Sequence, residues 1–339
     1  MSSLCAIGSV LPFPEVEGPL ATSLWSVWAA GRATATYQTA RAAFAALLRA
    51  RDVRRLWLPA YVCDALAQAC IFAGVEACWY GVDHRLEPDI AGLSQGLKPS
   101  DAALVVAYFG RSPPVALQDL ALRRADVLWI EDRAQALAPD GPSWAGVELY
   151  SPRKLIGVPD GGLLVGEGSL PPTLEPGVAD AAPQRARAAD LDGVDPQTWY
   201  PAFQTQEAHF DARPLGMSAL TRDLLTQIDP VPLAARRRTN YAILARALPQ
   251  FALWPQVEPA FAPLAFPVRV KDRDGVVARM AAERIYCPHH WPDLPSSAAD
   301  FPEVHALNAE LLSVPCDHRY GAQDMARVIE KLTSLARPA

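Results

Sequence analysis

Two short stretches of the chain hold residue types that can do chemistry. "WIEDRAQA" places Glu131 and Asp132 at the end of an apolar run, with Gln135 three residues beyond Asp132. "LYSPRKLIGVPDGGLLVG" places Ser151 three residues before Lys154 and a Gly161-Gly162 pair seven residues after it, ahead of another apolar run. A lysine amine at such a position is a candidate for covalent or acid–base work, and a carboxylate at a strand end for holding a partner charge. Each residue has an ordinary alternative. Asp132 could cap a helix, Lys154 could decorate a surface loop, and the glycines could form a plain turn. Ser-x-x-Lys also occurs in penicillin-recognising enzymes, but the partner motifs that use requires are missing here. An acid, a lysine 22 residues later and then Asp-Gly-Gly make a more specific set than any one of them.

These groups must be positioned by a large core, and the composition allows one. The chain has 339 residues, 50% hydrophobic and 20% charged, with a net charge of −6 and no long basic run. That profile is globular and gives nucleic-acid binding little electrostatic support. The densest basic cluster, Arg236-Arg237-Arg238, falls in a helical pattern and reads as a solvated face. Six cysteines are dispersed without C-x-x-C spacing, so no metal site is expected, and their use suits a reducing cytoplasm. The first residues lack a basic segment followed by an apolar core, and no apolar run reaches membrane-spanning length, so neither a secretory leader nor a membrane span is expected.

Apolar runs at 54–61, 75–83, 102–110, 126–134 and 161–166 read as strands, and patterned segments at 39–51, 63–74 and 117–125 read as helices between them. This alternation predicts an α/β fold with a parallel sheet, whose functional groups gather at the carboxyl ends of its strands. Residues 1–35 are punctuated by Pro and Gly and yield no assignment. Residues 168–198 read as a linker-like excursion. Helices near 217–229, 232–248, 273–284 and 324–336 and a strand at 263–271 predict a smaller α+β domain. The expected division is a large domain over 1–212 and a small one over 213–339.

With these residues in place, the chain resembles the DegT/DnrJ/EryC1/StrS sugar aminotransferases, enzymes of fold type I that use pyridoxal 5'-phosphate (PLP). The resemblance rests on "EDRAQA" and "SPRKLIGVPDGG", supported by "LPAYVCDALAQACIFAGVEACWYGVD", "GMSALTRDLLTQID" and "FPVRVKDRDGVVARMAAERIYCPHHW". It implies a large domain with a mixed, mostly parallel sheet between helices, and a smaller C-terminal α+β domain. It also implies a homodimer with active sites at the subunit boundary. The reaction implied moves an amino group from an amino acid, with glutamate the expected donor, to a keto sugar that is expected to be nucleotide-linked. Lys154 would bind the cofactor aldehyde and then move protons. Asp132 would keep the ring nitrogen protonated, and Gln135 would lie on the ring-hydroxyl side. Thr39, Ala40 and Arg41, opening the first helix, would receive the phosphate together with Ser151.

The chain also departs from that family. The ring-stacking position is Cys63, with Tyr61 two residues before it as the alternative cover. Pro214 stands where a cross-subunit asparagine is usual, with Arg213 beside it. His289, His290 and Trp291 are candidate substrate contacts. Arg319 is a candidate anion contact, with pairing to Asp317 the preferred reading. Tyr108 could be core. Lys154 argues against the related dehydratases, which carry histidine there. A catalytically idle PLP-binding relative and an enzyme for a non-sugar substrate stay open as alternatives.

Overall fold

The computed structural model describes residues 5–16, 18–138, 141–256 and 258–339. In chain order the elements are β1 (Ile7–Gly8), α1 (Leu24–Ala29), β2 (Ala33–Tyr37), α2 (Ala40–Ala50), β3 (Arg55–Pro59), α3 (Asp64–Ala73), β4 (Glu76–Tyr80), α4 (Ile90–Gly96), β5 (Ala102–Val106), α5 (Val115–Arg123), β6 (Leu128–Asp132), β7 (Val147–Tyr150) and β8 (Gly162–Gly166). There follow α6 (Ala182–Ala189), α7 (Tyr200–His209), α8 (Ala219–Leu225), α9 (Pro230–Ala247), β9 (Phe266–Arg269), α10 (Arg273–Ala282), β10 (Ile285–Tyr286), α11 (Pro302–Glu310), β11 (Leu311–Val314) and α12 (Ala322–Leu335).

Among the described residues seven strands form the main sheet, in the order β2-β8-β7-β6-β5-β3-β4. The sheet is mixed and mostly parallel, as the resemblance implied. β8 runs antiparallel to both β2 and β7, while the pairs from β7 to β4 are parallel. The physical reason lies in the connection. Antiparallel neighbours need no crossover helix, so residues 151–161 turn back directly and leave Lys154 at the carboxyl end of β7. The run at 102–110 is a strand only to Val106 and continues as a 3-10 turn at Tyr108–Gly110, where Phe109 and Gly110 have positive φ. The excursion at 168–198 contains helix α6.

α2 lies on the sheet because its inner face is small. Ala42, Ala43, Ala45, Phe44, Leu47 and Leu48 are buried, and the helix packs on β2, β7, β8 and α3. A second cluster gathers Ile7 with residues of α9, β9, α10, β11 and α12 around Phe266 and Val268. A third joins Trp28, Tyr150, Leu155 and Leu163 to Leu224 and Leu225 of α8. Among the described residues no helix is long and apolar enough to cross a membrane.

Candidate active site

The carboxyl ends of β2, β3, β6 and β7 lie along one edge of the sheet, and the next residues of each build the site. Alternation along β6 sends its two acids to opposite faces. Glu131 is paired in register with Glu148 of β7, a like-charge pair that needs a cation. Arg133 supplies it, at 2.8 Å from Glu131 and 3.4 Å from Glu148, and Arg32 reaches Glu148 at 2.7 Å. Burial alone would raise the Glu148 carboxyl, but Arg32 and Arg133 hold it below its ordinary range.

Asp132, on the other face, lines a chamber of about 80 Å³ with Thr39, Ala40, Arg41, Cys63, Ser151, Arg153 and Lys154. Its Oδ1 accepts from the Ala134 N–H at 2.9 Å. Burial pushes its carboxyl above the usual carboxylate range, against the pull of the Lys154 ammonium and of that N–H. The chamber therefore places a buried acid and a lysine amine side by side. Thr39 caps α2, its Oγ1 accepting from the Ala42 N–H at 3.0 Å. Gly162 explains the glycine pair. A Cβ there would stand 2.2 Å from the Thr39 carbonyl carbon and oxygen, so a bare backbone lets β8 meet the helix start. The Gly161 N–H also donates to the Gln38 carbonyl at 2.6 Å. Asp160, just before, accepts from the Ser218 N–H and hydroxyl, each at 2.7 Å, and from Thr221, which ties α8 to the lysine loop.

Lys154, Arg153 and Glu207 line both this chamber and a second cavity of about 610 Å³. The larger cavity is bounded by Val10 and Leu11, by Tyr200 and Phe203 of α7, and by Tyr286.

Seven sequence-predicted residues thus come together: Thr39, Ala40, Arg41, Cys63, Asp132, Ser151 and Lys154. Burial holds the Cys63 thiol up, so it offers an inert wall rather than a nucleophile. The others sit outside the chamber. Gln135 is buried and turned toward the Phe109 N–H, which donates to its Oε1 at 2.6 Å. Tyr61 bonds the His290 carbonyl and packs edge-on to Tyr108 and tilted to Trp291. Trp291 is therefore part of that aromatic packing. His289 contacts Arg273 and Asn308. His290 lines a third cavity with Lys154 and Arg319, and its Nδ1 lies 2.7 Å from the Ser313 hydroxyl. Burial and the nearby Lys154 charge bring its pKa down to about 3. Arg319 makes the pairing that sequence reading preferred, with Asp317 at 2.8 Å. Arg213 pairs with Asp211 on the surface, its side chain 65% exposed.

Sequence reasoning missed Arg153, Glu207 and Phe210. The only signal for Arg153 was its place beside Lys154. Among the described residues no group of three or more His, Cys, Asp or Glu side chains is arranged to hold a metal ion.

The residues present fit PLP. A buried acid, a lysine, a helix start against which only a glycine fits, and a buried Arg153 Nε with no partner among the described residues are the groups that a cationic ring nitrogen, an aldehyde and a phosphate would engage. No family model and no curated protein matches the chain. Solved structures do match it across nearly its whole length. A protein assigned as a sugar aminotransferase from Streptococcus pneumoniae, in its PLP form, aligns with a TM-score of 0.70 at 14% identity over 97% of this chain and 98% of its own. A DegT DnrJ EryC1 StrS aminotransferase from Brucella abortus gives 0.64 at 16% identity over 91% and 87%. A sugar aminotransferase from Micromonospora echinospora gives 0.62 at 18% identity over 96% and 99%. The chain has the fold type I architecture of the sugar aminotransferases.

Proposed function

We propose that the protein is a PLP-dependent aminotransferase that moves an amino group from an amino acid, glutamate in the favoured case, to a keto sugar carried on a nucleotide. The observation that carries this reading is that Lys154, Asp132 and the first turn of α2 line one chamber. Structurally similar proteins have been solved in a PLP form, in a PMP form and with a ketimine intermediate, which supports the same chemistry here. When bound, the cofactor supplies an electron sink for the bond broken at the amino carbon. Asp132 keeps the ring nitrogen protonated, its burial strengthening that ion pair. The Lys154 amine would hold the aldehyde and would move the proton at the substrate carbon. The N–H groups at the start of α2 and the Ser151 hydroxyl receive the phosphate. Cys63 lines the wall beside the ring.

The larger cavity next to Lys154 would take the acceptor, with Tyr200, Phe203 and Tyr286 along its sides. His290 is the histidine we assign near the substrate; His289 and Trp291 support it from outside. We further propose a homodimer in which the exposed Arg213 reaches the neighbouring subunit, working in the cytoplasm, where six free thiols are compatible with the compartment. The test is chemical. Protein loaded with PLP and reduced with borohydride should carry the cofactor on the peptide containing Lys154, and glutamate added to the loaded protein should yield 2-oxoglutarate. Label on another lysine, or no uptake, refutes the assignment.

A further inference from the structure

Arg153 is a cation that its own chain leaves partly unsatisfied. It stands in the 3-10 turn Pro152–Lys154, directly before the lysine. One terminal nitrogen pairs with Glu207, and the guanidinium carbon lies 4.4 Å from the centre of the Phe210 ring. Its Nε is buried with no partner among the described residues. A guanidinium carries five N–H donors in a rigid fork, and sequestering it with so few acceptors is unfavourable unless an anion arrives. Burial depresses the Arg153 pKa, an effect that Glu207 and Asp160 oppose and Arg41 reinforces.

Its partner is held differently. Glu207 has a side chain 38% exposed and belongs to α7, a helix with no buried residue. Apart from Glu207 itself, polar contacts tie α7 and the residue after it down: Gln206 to Gln184 and to the Asp180 carbonyl, and Arg41 to the Phe210 carbonyl at 3.0 Å. An element that buries none of its residues is easily displaced. Arg153, Arg41, Ser151 and the capped start of α2 all face the 80 Å³ chamber, and Glu207 and Phe210 narrow it. Two guanidinium groups, a hydroxyl and a helix start suit a multiply charged tetrahedral anion better than a single carboxylate.

We propose that Arg153 anchors the cofactor phosphate, and that Glu207 is a removable counter-ion which holds the guanidinium until the phosphate takes its place. This rests on the PLP reading above. Glu207 and a phosphate on one guanidinium would repel, so binding draws α7 outward and widens the passage to the larger cavity.

The experiment compares PLP with pyridoxal, which lacks the phosphate, by titrating the cofactor-free protein and following tryptophan quenching. In Arg153→Gln, PLP affinity should fall about 10- to 100-fold, the loss of a charge-assisted contact, while pyridoxal affinity holds. In Glu207→Gln, PLP should bind several-fold more tightly and pyridoxal unchanged. If Arg153→Gln keeps the wild-type preference for PLP over pyridoxal, whether both affinities hold or both fall, the anchor is refuted. Should that variant fail to fold, Glu207→Gln decides: an unaltered preference overturns the proposal. Wild-type protein that binds neither form would instead overturn the PLP reading itself.

Discussion

Replacing Gly162 by Ala is a small change at the point where β8 meets α2. The new Cβ would stand 2.2 Å from the Thr39 carbonyl carbon and oxygen and 2.4 Å from the Ala40 nitrogen, all of them backbone atoms. Carbon pairs rest at about 3.5–4.0 Å, so the two backbones must part by roughly 1 Å or more. Neither element can move as a body. Gly162 is in register with Tyr37 of β2, and α2 presents six buried side chains to the core. The first turn of the helix must give instead, which also disturbs the Thr39 cap. Overpacking costs about 1–3 kcal/mol and a lost cap about 1 kcal/mol, so a destabilisation of about 2–4 kcal/mol is expected. Urea unfolding of the cofactor-free protein measures it, and Gly141→Ala is the control, since a Cβ there meets nothing within 4 Å. The same displacement should weaken PLP binding at least about tenfold through lost helix-start contacts. A Gly162→Ala protein as stable as the control, with unaltered PLP affinity, would refute the claim that this close approach sets the phosphate end of the site.

Asp132→Asn keeps an oxygen for the Ala134 N–H but cannot hold a cationic ring nitrogen, so turnover should fall on the order of 100-fold with stability changed by less than about 1 kcal/mol; wild-type turnover would make Asp132 only a structural acceptor. Acid should destabilise the cofactor-free fold. His290 and His318 are held down to about 3 and about 4, chiefly by burial, so the unfolded chain binds more protons below pH ~6.5 and stability falls as pH drops from there. Burial holds Asp132 and Asp160 up, which offsets part of this loss. Stability that is flat or rising from pH 7 to pH 5 would contradict this balance. Arg213→Ala should leave stability nearly unchanged, because its pair with Asp211 is exposed on both sides. If Arg213 serves the neighbouring subunit, hybrids with Lys154→Ala chains regain activity that both parents lack; a fully active Arg213→Ala homodimer removes it from the site.

What the sequence made legible follows periodicity and position. The apolar runs ending in Asp132 and beginning at Gly162 are buried strands, and the groups at their ends do meet. β2 went unread, although Thr34, Thr36 and Tyr37 are strand-forming types, because flanking glycine hid its short alternation. α7 left no periodic trace since it buries no residue, and so Glu207 and Phe210 had no signal. Arg213 was read as a site residue from its neighbours in sequence, yet within this chain it pairs locally with Asp211. Gln135 was placed by motif spacing alone, and what the structure adds is that its side-chain oxygen accepts from the Phe109 N–H.

The insertion of β8 between β2 and β7 has a consequence for how the chain assembles. Among the described residues β2 has no strand partner except β8, which follows about 125 residues later in the chain. During synthesis β2 must wait, unpaired, until that distant strand arrives, and the entropy of closing so long a loop falls on this one step. Only Gln38 separates Thr39 from the end of β2, so the helix start is fixed only when the sheet is complete. A ligand that grips it recognises the finished sheet and not its precursors. On the PLP reading, such a ligand would favour the completed sheet by mass action, and cofactor supply should raise the amount of folded protein that accumulates.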